Sequence, residues 1–366
     1  DPPVSVTDGS SYGVPYNITR TLQYGANVGL ELQMPLYNQT LYTSISIAEI
    51  VDEMSRLSYE KAREDLILQI SKMYYLGQVT AEQIALIKAN ITRLEELRDI
   101  TQAFFDNGMA MEVDLKRVNI NLENLKVQYD NAQAMMTQQL NMLKYIMDYP
   151  AEKEIGLLPV NTDSIATVAL TGLSENLYEL QLLQSQVQLA ERQKRLISNG
   201  YIPSLNLTGN WRFAAYTDEA YHWFHSGPSN HWFRSYGVGL TLRIPIFDGL
   251  DKKYKIRKAM IDIEMMKLSQ LDIRKNLHTQ YLNAVNDLMN NQRNFKKQKD
   301  NYLLAEEVYA VTTDRYREGI TSMTEVLQDG MRMSEAQNNY ISAHYNYRVT
   351  NLMLLKLTGQ IASLFK

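Results

Sequence analysis

The sequence predicts a mainly α-helical protein carrying membrane-type β-strands: long coiled-coil-like rods joined to two strand regions, in a two-fold internal repeat. Three observations lead there. Proline and glycine, the strongest breakers of regular structure, are almost absent from two long stretches. Outside those stretches the apolar residues switch to a period of two. The same order of segments also occurs twice, about 210 residues apart.

The rods come first. No proline falls between Pro35 and Pro150, and only Gly77 and Gly108 interrupt that span; after Gly249 neither residue recurs until Gly319. Residues 40–105 and 250–317 therefore read as single helices of about 100 Å each, beyond ordinary globular lengths. Each is followed by a returning helix. In the first of these, Leu115, Val118, Leu122, Leu125, Tyr129, Ala132, Met136, Leu140, Leu143 and Met147 keep three- and four-residue steps, the seam of a packed helix pair. One local signal conflicts. Gly77 followed by Thr80 and Gln83 resembles a helix stop and a fresh capping box. The second rod has no such break, so one continuous helix is expected.

The strands follow from alternation. In residues 16–36 the even positions are apolar and the odd ones polar, except for Arg20, and residues 205–213 and 238–246 alternate likewise. Such runs exceed the usual soluble strand and match the length of membrane-barrel strands. Trp211, Trp223 and Trp232, with Phe213 and Tyr236, gather in the second strand pair and its loop, as a membrane-interface girdle would.

The repeat sets the organisation. Residues 28–37 align with 238–247, and residues 105–108 with 316–319. Five segments result: 1–39, a strand region and external loop; 40–150, a helical hairpin; 151–202, linker and short helices; 203–249, a strand pair with the aromatic loop; and 250–366, a second hairpin. The second unit has a leading helix and strand whose counterparts would precede residue 1. The sequence is therefore expected to begin inside the first strand–strand loop.

Composition excludes several classes. With 37 Lys+Arg against 41 Asp+Glu the net charge is −4, so no basic excess suggests nucleic acid. The absence of cysteine removes disulfides, Cys-ligated zinc and thiol chemistry. No apolar run approaches the ~18 residues of a spanning helix, which excludes transmembrane helices alone, because a barrel strand hides its apolar face at every second residue. No acid–base pair or cofactor motif indicates an enzyme. His222, His225 and His231 share the aromatic loop, but with only Asp218 and Glu219 near them they read as polar loop residues, and no metal is assigned.

On these residues the chain resembles the TolC-like outer-membrane efflux channel family over essentially its whole length. The resemblance is carried by the strand ends at 240–249 and 201–207, by the turn at 315–327 and by the duplicated order. It implies a homotrimer in which each protomer supplies four strands to one twelve-stranded β-barrel in outer-membrane lipid of a Gram-negative bacterium. It also implies a helical tunnel through the periplasm that docks a periplasmic adaptor and serves an inner-membrane transporter. No cofactor is implied. The barrel must be shared on physical grounds too, since three or four strands per chain cannot close one. A type I protein secretion channel is a close variant. A soluble periplasmic coiled-coil scaffold or adaptor, its alternating segments forming a small sandwich, is the alternative from a different class.

The resemblance also marks residues. Adaptor docking would fall on Asn107, Gly108 and Met109 and on Glu318, Gly319 and Ile320, where glycine supplies the positive φ that ends one helix and starts the return. Six residues after each glycine stands an acid, Asp114 or Glu325. In a trimer each would form a ring of three carboxylates at the entrance. Both also suit helix capping: residues 322–325 form a capping box, and Asp114 lies where the helix dipole favours negative charge. Tyr316 is retained as a latch candidate, but Thr321 stands where some relatives carry the latch arginine, and Gln328 where some carry a second acid. The basic run at 252–258 would meet anionic head groups at the inner rim of the membrane or form a solvated first turn. Residues 296–299 read as a solvated face.

Overall fold

The computed structural model describes residues 5–6, 18–19, 24–159, 172–217 and 231–365. Its strands are β1 (Ser5–Val6), β2 (Ile18–Thr19), β3 (Tyr24–Tyr37), β4 (Ser204–Thr217) and β5 (His231–Arg243). Its helices are α1 (Gln39–Asp106), α2 (Glu112–Ile146), α3 (Tyr178–Asn199), α4 (Asp251–Arg317) and α5 (Met323–Leu357), followed by a short 3-10 turn at Ile361–Phe365. The fold is mainly helical with a small sheet. Two compact units are distinguished, residues 1–52 with 186–266, and residues 53–185 with 267–366.

The helices have the expected extents. α1 has 68 residues and α4 has 67, each close to the rod anticipated from its breaker-free stretch; α2 and α5 have 35 apiece. α1 runs unbroken through Gly77, and the reason that the capping signal misleads is local. A Cβ at position 77 would lie 2.7 Å from Leu157 Cδ1, so glycine is there to admit the segment that follows α2. Gln78 Nε2 donates to the Leu158 carbonyl at 2.8 Å, tying that segment down. The Thr80 hydroxyl, which resembled a cap, donates instead to the Leu76 carbonyl one turn back, at 2.9 Å. No helix among the described residues is long and apolar enough to cross a membrane.

In the first unit β3, β4 and β5 form an antiparallel sheet in that order. The register sets Leu30 opposite Trp211 and Trp211 opposite Tyr236, Leu32 opposite Gly209 and Gly209 opposite Val238, and Met34 opposite Leu207 and Leu207 opposite Leu240. Apart from Arg234, which lies over the Phe213 ring, one face is thus apolar across all three strands, while the other carries Glu31, Gln33, Thr208, Asn210, Arg212 and Thr241. The apolar face is open: Val28, Leu30, Val238 and Leu240 are all more than half exposed. β5 begins seven residues before the alternation at 238–246 and ends at Arg243. Pro245 has no N–H to extend a ladder. Pro35 is tolerated because β3 lies at an edge of the sheet, where a register shift follows it.

The second unit is packed helix against helix. Of the anticipated α2 seam, Val118, Leu122, Ala132 and Leu143 are buried. One core cluster gathers Leu68, Leu277, Tyr281, Leu352, Leu354 and Ile361, and another, beside the helix turns, gathers Leu97, Val118, Leu122, Tyr316, Val326 and Met333.

Between these clusters α1 and α5 are joined by a polar network. His344 is fully buried. Arg348 Nε donates to its Nε2 at 3.0 Å, so the ring proton sits on Nδ1, which donates to Glu82 Oε2 at 3.3 Å. Tyr340 donates to the other carboxylate oxygen at 2.9 Å, and Phe295 of α4 covers the imidazole at 4.8 Å between centroids. Burial works to raise the Glu82 carboxyl, but the bonds from His344 and Tyr340, with the charge of Arg348, outweigh it and hold the group below the usual carboxylate range. The Tyr340 phenol is pushed well above its ordinary value, first by burial and then by the Glu82 charge.

Candidate functional site

The two interhelical turns are built alike. Gly108 and Gly319 both take φ of 73°, where an L side chain is strained. In the first, Gly108 N–H donates to the Phe105 carbonyl at 2.9 Å and Met109 N–H to the Phe104 carbonyl at 2.7 Å. In the second, Gly319 N–H donates to the Tyr316 carbonyl and Ile320 N–H to the Arg315 carbonyl, both at 2.9 Å. Each is a Schellman closure, which satisfies the last carbonyls of a long helix and reverses the chain at once. All six residues anticipated for docking, Asn107, Gly108, Met109, Glu318, Gly319 and Ile320, are exposed.

The helices that leave the turns begin differently. Ser322 caps α5, its hydroxyl accepting from the Glu325 N–H at 3.4 Å. The Glu325 carboxylate accepts the Thr321 hydroxyl and remains exposed. Met111 starts α2 in extended conformation with no side-chain cap. Asp114 there is mostly covered and pairs with Arg117 at 3.3 Å. The same Arg117 nitrogen donates to Thr324 Oγ1 at 3.2 Å, which links the first turns of α2 and α5. Arg117 and Thr324 were not anticipated; the Asp–Arg spacing of three was the available signal for the first, and nothing local marked the second. The two acids are therefore unlike: one ion-paired and covered, one open to solvent.

Tyr316 is only 6% exposed, its ring 5.6 Å from that of Phe104, and its hydroxyl lies near Thr101 but makes no hydrogen bond of regular geometry among the described residues. Burial pushes the phenol up. Beside it opens a cavity of about 380 Å³ whose lining includes Met109, Asp114, Arg117, Gly319, Thr321 and Thr324. Because a buried unpaired hydroxyl is a cost to the fold, Tyr316→Phe is expected to leave thermal stability unchanged or raise it by about 1 kcal/mol. A clear loss in a denaturation curve would show that the hydroxyl is bonded.

The aromatic residues anticipated at the membrane interface share one face of the sheet. Trp211 packs edge-on to Phe213 at 4.8 Å and stands opposite Tyr236, which is 85% exposed; Trp232 lies on the same face, opposite Ala215. Trp223, His222 and His225 lie outside the described residues, as does the side chain of His231. Among the described residues no group of three or more acids and histidines is arranged to hold a metal ion.

Comparison with known proteins agrees with these features. The outer membrane efflux protein family matches residues 13–147 and 170–360. The chain is 20% identical over 367 residues to the outer membrane protein TolC of Vibrio cholerae, covering 95% of this chain and 81% of that protein. It is 23% identical over 381 residues to the probable efflux pump outer membrane protein TtgC of Pseudomonas putida, covering 98% and 75% respectively. Its fold resembles that of the outer membrane protein VceC from Vibrio cholerae, with a TM-score of 0.76 at 13% identity, over 98% of this chain and 84% of that one. The match over both halves, on a fold of long paired helices and a sheet with one exposed apolar face, means that the chain belongs to the outer membrane efflux protein family.

Proposed function

We propose that this protein is the passive outer-membrane duct of a tripartite efflux pump. Three copies would share one twelve-stranded barrel, and the paired helices would form a periplasmic tunnel. The observation that carries this reading is the three-stranded sheet, apolar on one face and polar on the other, with both outer edges unpaired among the described residues. In a bilayer such edges must be closed by further strands, and one copy has too few to close a barrel alone. Strands of 13 or 14 residues at about 3.3 Å each are long enough to cross the hydrocarbon core at a tilt. The matched turns, 211 residues apart, support the reading of a duplicated chain with two similar docking tips on each copy. On this reading the exposed turn residues meet a periplasmic adaptor, and energy for transport comes from an inner-membrane transporter.

The turn acids assign the selectivity. Glu325, exposed, acts on passing ions, whereas Asp114 is held neutralised by Arg117. In planar bilayers Glu325→Ala is expected to lower cation-over-anion permeability about twofold, and Arg117→Gln to raise it by a similar factor. Unchanged single-channel behaviour in both variants would reduce these residues to helix-end stabilisers. A heat-resistant trimer in the outer-membrane fraction tests the duct itself, and a soluble monomer would overturn it.

A further inference from the structure

The basic start of α4 carries an inference about the membrane. Two of its five cations are internally occupied: Lys252 pairs with Asp248 at 2.9 Å and lies over the Tyr201 ring at 5.2 Å, and Lys255 pairs with Asp251 at 2.7 Å. The other three, Lys253, Arg257 and Lys258, are exposed and have no ionic partner among the described residues. Positive charge in the first turns of a helix opposes the helix dipole, so nothing within α4 itself accounts for them. The corresponding turns of α1, residues 39–47, contain no charged residue at all.

Their surroundings are apolar and open. Beyond the end of β5 the even-numbered apolar stripe continues through Ile244 to Ile246, which is 93% exposed, and Phe247 follows at 82%. Tyr254, between the cations, is also exposed. The stripe is continuous in sequence with the apolar face of the sheet. A surface that turns within ten residues from apolar to aromatic to cationic matches the section of a phospholipid leaflet from acyl chain to head group.

We propose that Lys253, Arg257 and Lys258 bind the head groups of anionic phospholipids in the periplasm-facing leaflet, with acyl chains lying along Ile244, Ile246 and Phe247. This rests on the barrel reading above and adds to it a specific lipid class at one rim. The contrast with α1 makes the contact periodic: in a trimer, three basic helix starts would alternate with three uncharged ones.

The test uses the purified full chain in detergent, with phosphatidylglycerol or phosphatidylcholine added and bound lipid counted by native mass spectrometry. Wild type is expected to prefer phosphatidylglycerol by at least about tenfold, a preference that salt weakens. The variant Lys253→Gln/Arg257→Gln/Lys258→Gln is expected to lose most of it while binding phosphatidylcholine as before. The control Lys296→Gln/Lys297→Gln/Lys299→Gln, elsewhere on α4, is expected to keep it. Equal loss in the control would overturn the proposal by showing a general charge effect. Retained preference in the first variant, or displacement of the lipid by millimolar inorganic phosphate, would also overturn it. Because the trimer is seen in the same spectra, failure of the barrel reading appears separately, as a protein that never assembles.

Discussion

Leu240→Arg is expected to abolish accumulation of the protein in the outer membrane, while Thr241→Arg, one residue away, is expected to be tolerated. Both positions lie in the second half of β5 and both are exposed, so a soluble sheet would accept either change with little effect. A bilayer would not. Leu240 pairs with Leu207, and that residue in turn with Met34, on the apolar face. Arginine on a lipid-facing barrel position costs about 2–4 kcal/mol near the midplane, multiplied over three copies in a trimer. Thr241 pairs with Asn206 on the opposite, polar face, where charge is solvated. Heat-resistant trimer in membrane fractions is the measurement. Equal accumulation of the two variants would contradict a lipid-facing sheet.

The second large effect is expected at Glu82. Truncation to alanine leaves the His344 Nδ1–H and the Tyr340 hydroxyl without their acceptor, inside a region capped by Phe295. Loss of one member of such a network costs about 3 kcal/mol. The pH dependence has a definite sign. Glu82 is held below its ordinary value near 4.5, so its contribution is complete above that value and fades as pH falls toward the native one. Glu82→Gln should therefore be less stable than wild type at neutral pH and should lose less on acidification below about 4.5. Denaturant unfolding at a series of pH values reads both quantities. Parallel curves for the two proteins would mean that the carboxylate does not titrate with folding.

Much of this fold was legible in the sequence because its strongest signals are local. A stretch with no proline and one glycine has few options but helix: three of the four ends of α1 and α4 fall two residues from a bounding glycine, and the fourth, Gln39, follows Pro35 by four. The alternation in β3 showed which residues share a face, since side-chain direction along a strand follows from position alone. β5 was less legible: its first half, with Phe233 and Arg234 on unexpected faces, does not alternate cleanly. At the turns, the glycines and the Ser322 cap could be read from residue type. The state of the acids could not. Asp114 is set apart from Glu325 by Arg117, which bonds across to Thr324, 207 positions away. The bond between Glu82 and His344 joins residues 262 positions apart. Pairings at such separations arise when helices dock, and a single sequence carries no trace of them.

The two unpaired edges of the sheet also bear on how the protein comes into being. Among the described residues, β3 and β5 each present an outer row of backbone donors and acceptors with no strand paired to it. If the barrel is shared as proposed, a lone copy would be a template for any passing strand until its partners arrive. Maturation should then depend steeply on local copy number, and low expression should yield misassembled chains rather than fewer good channels. On that reading, a cell making this protein would gain from delivering copies together, or from keeping each one escorted until its neighbours are at hand.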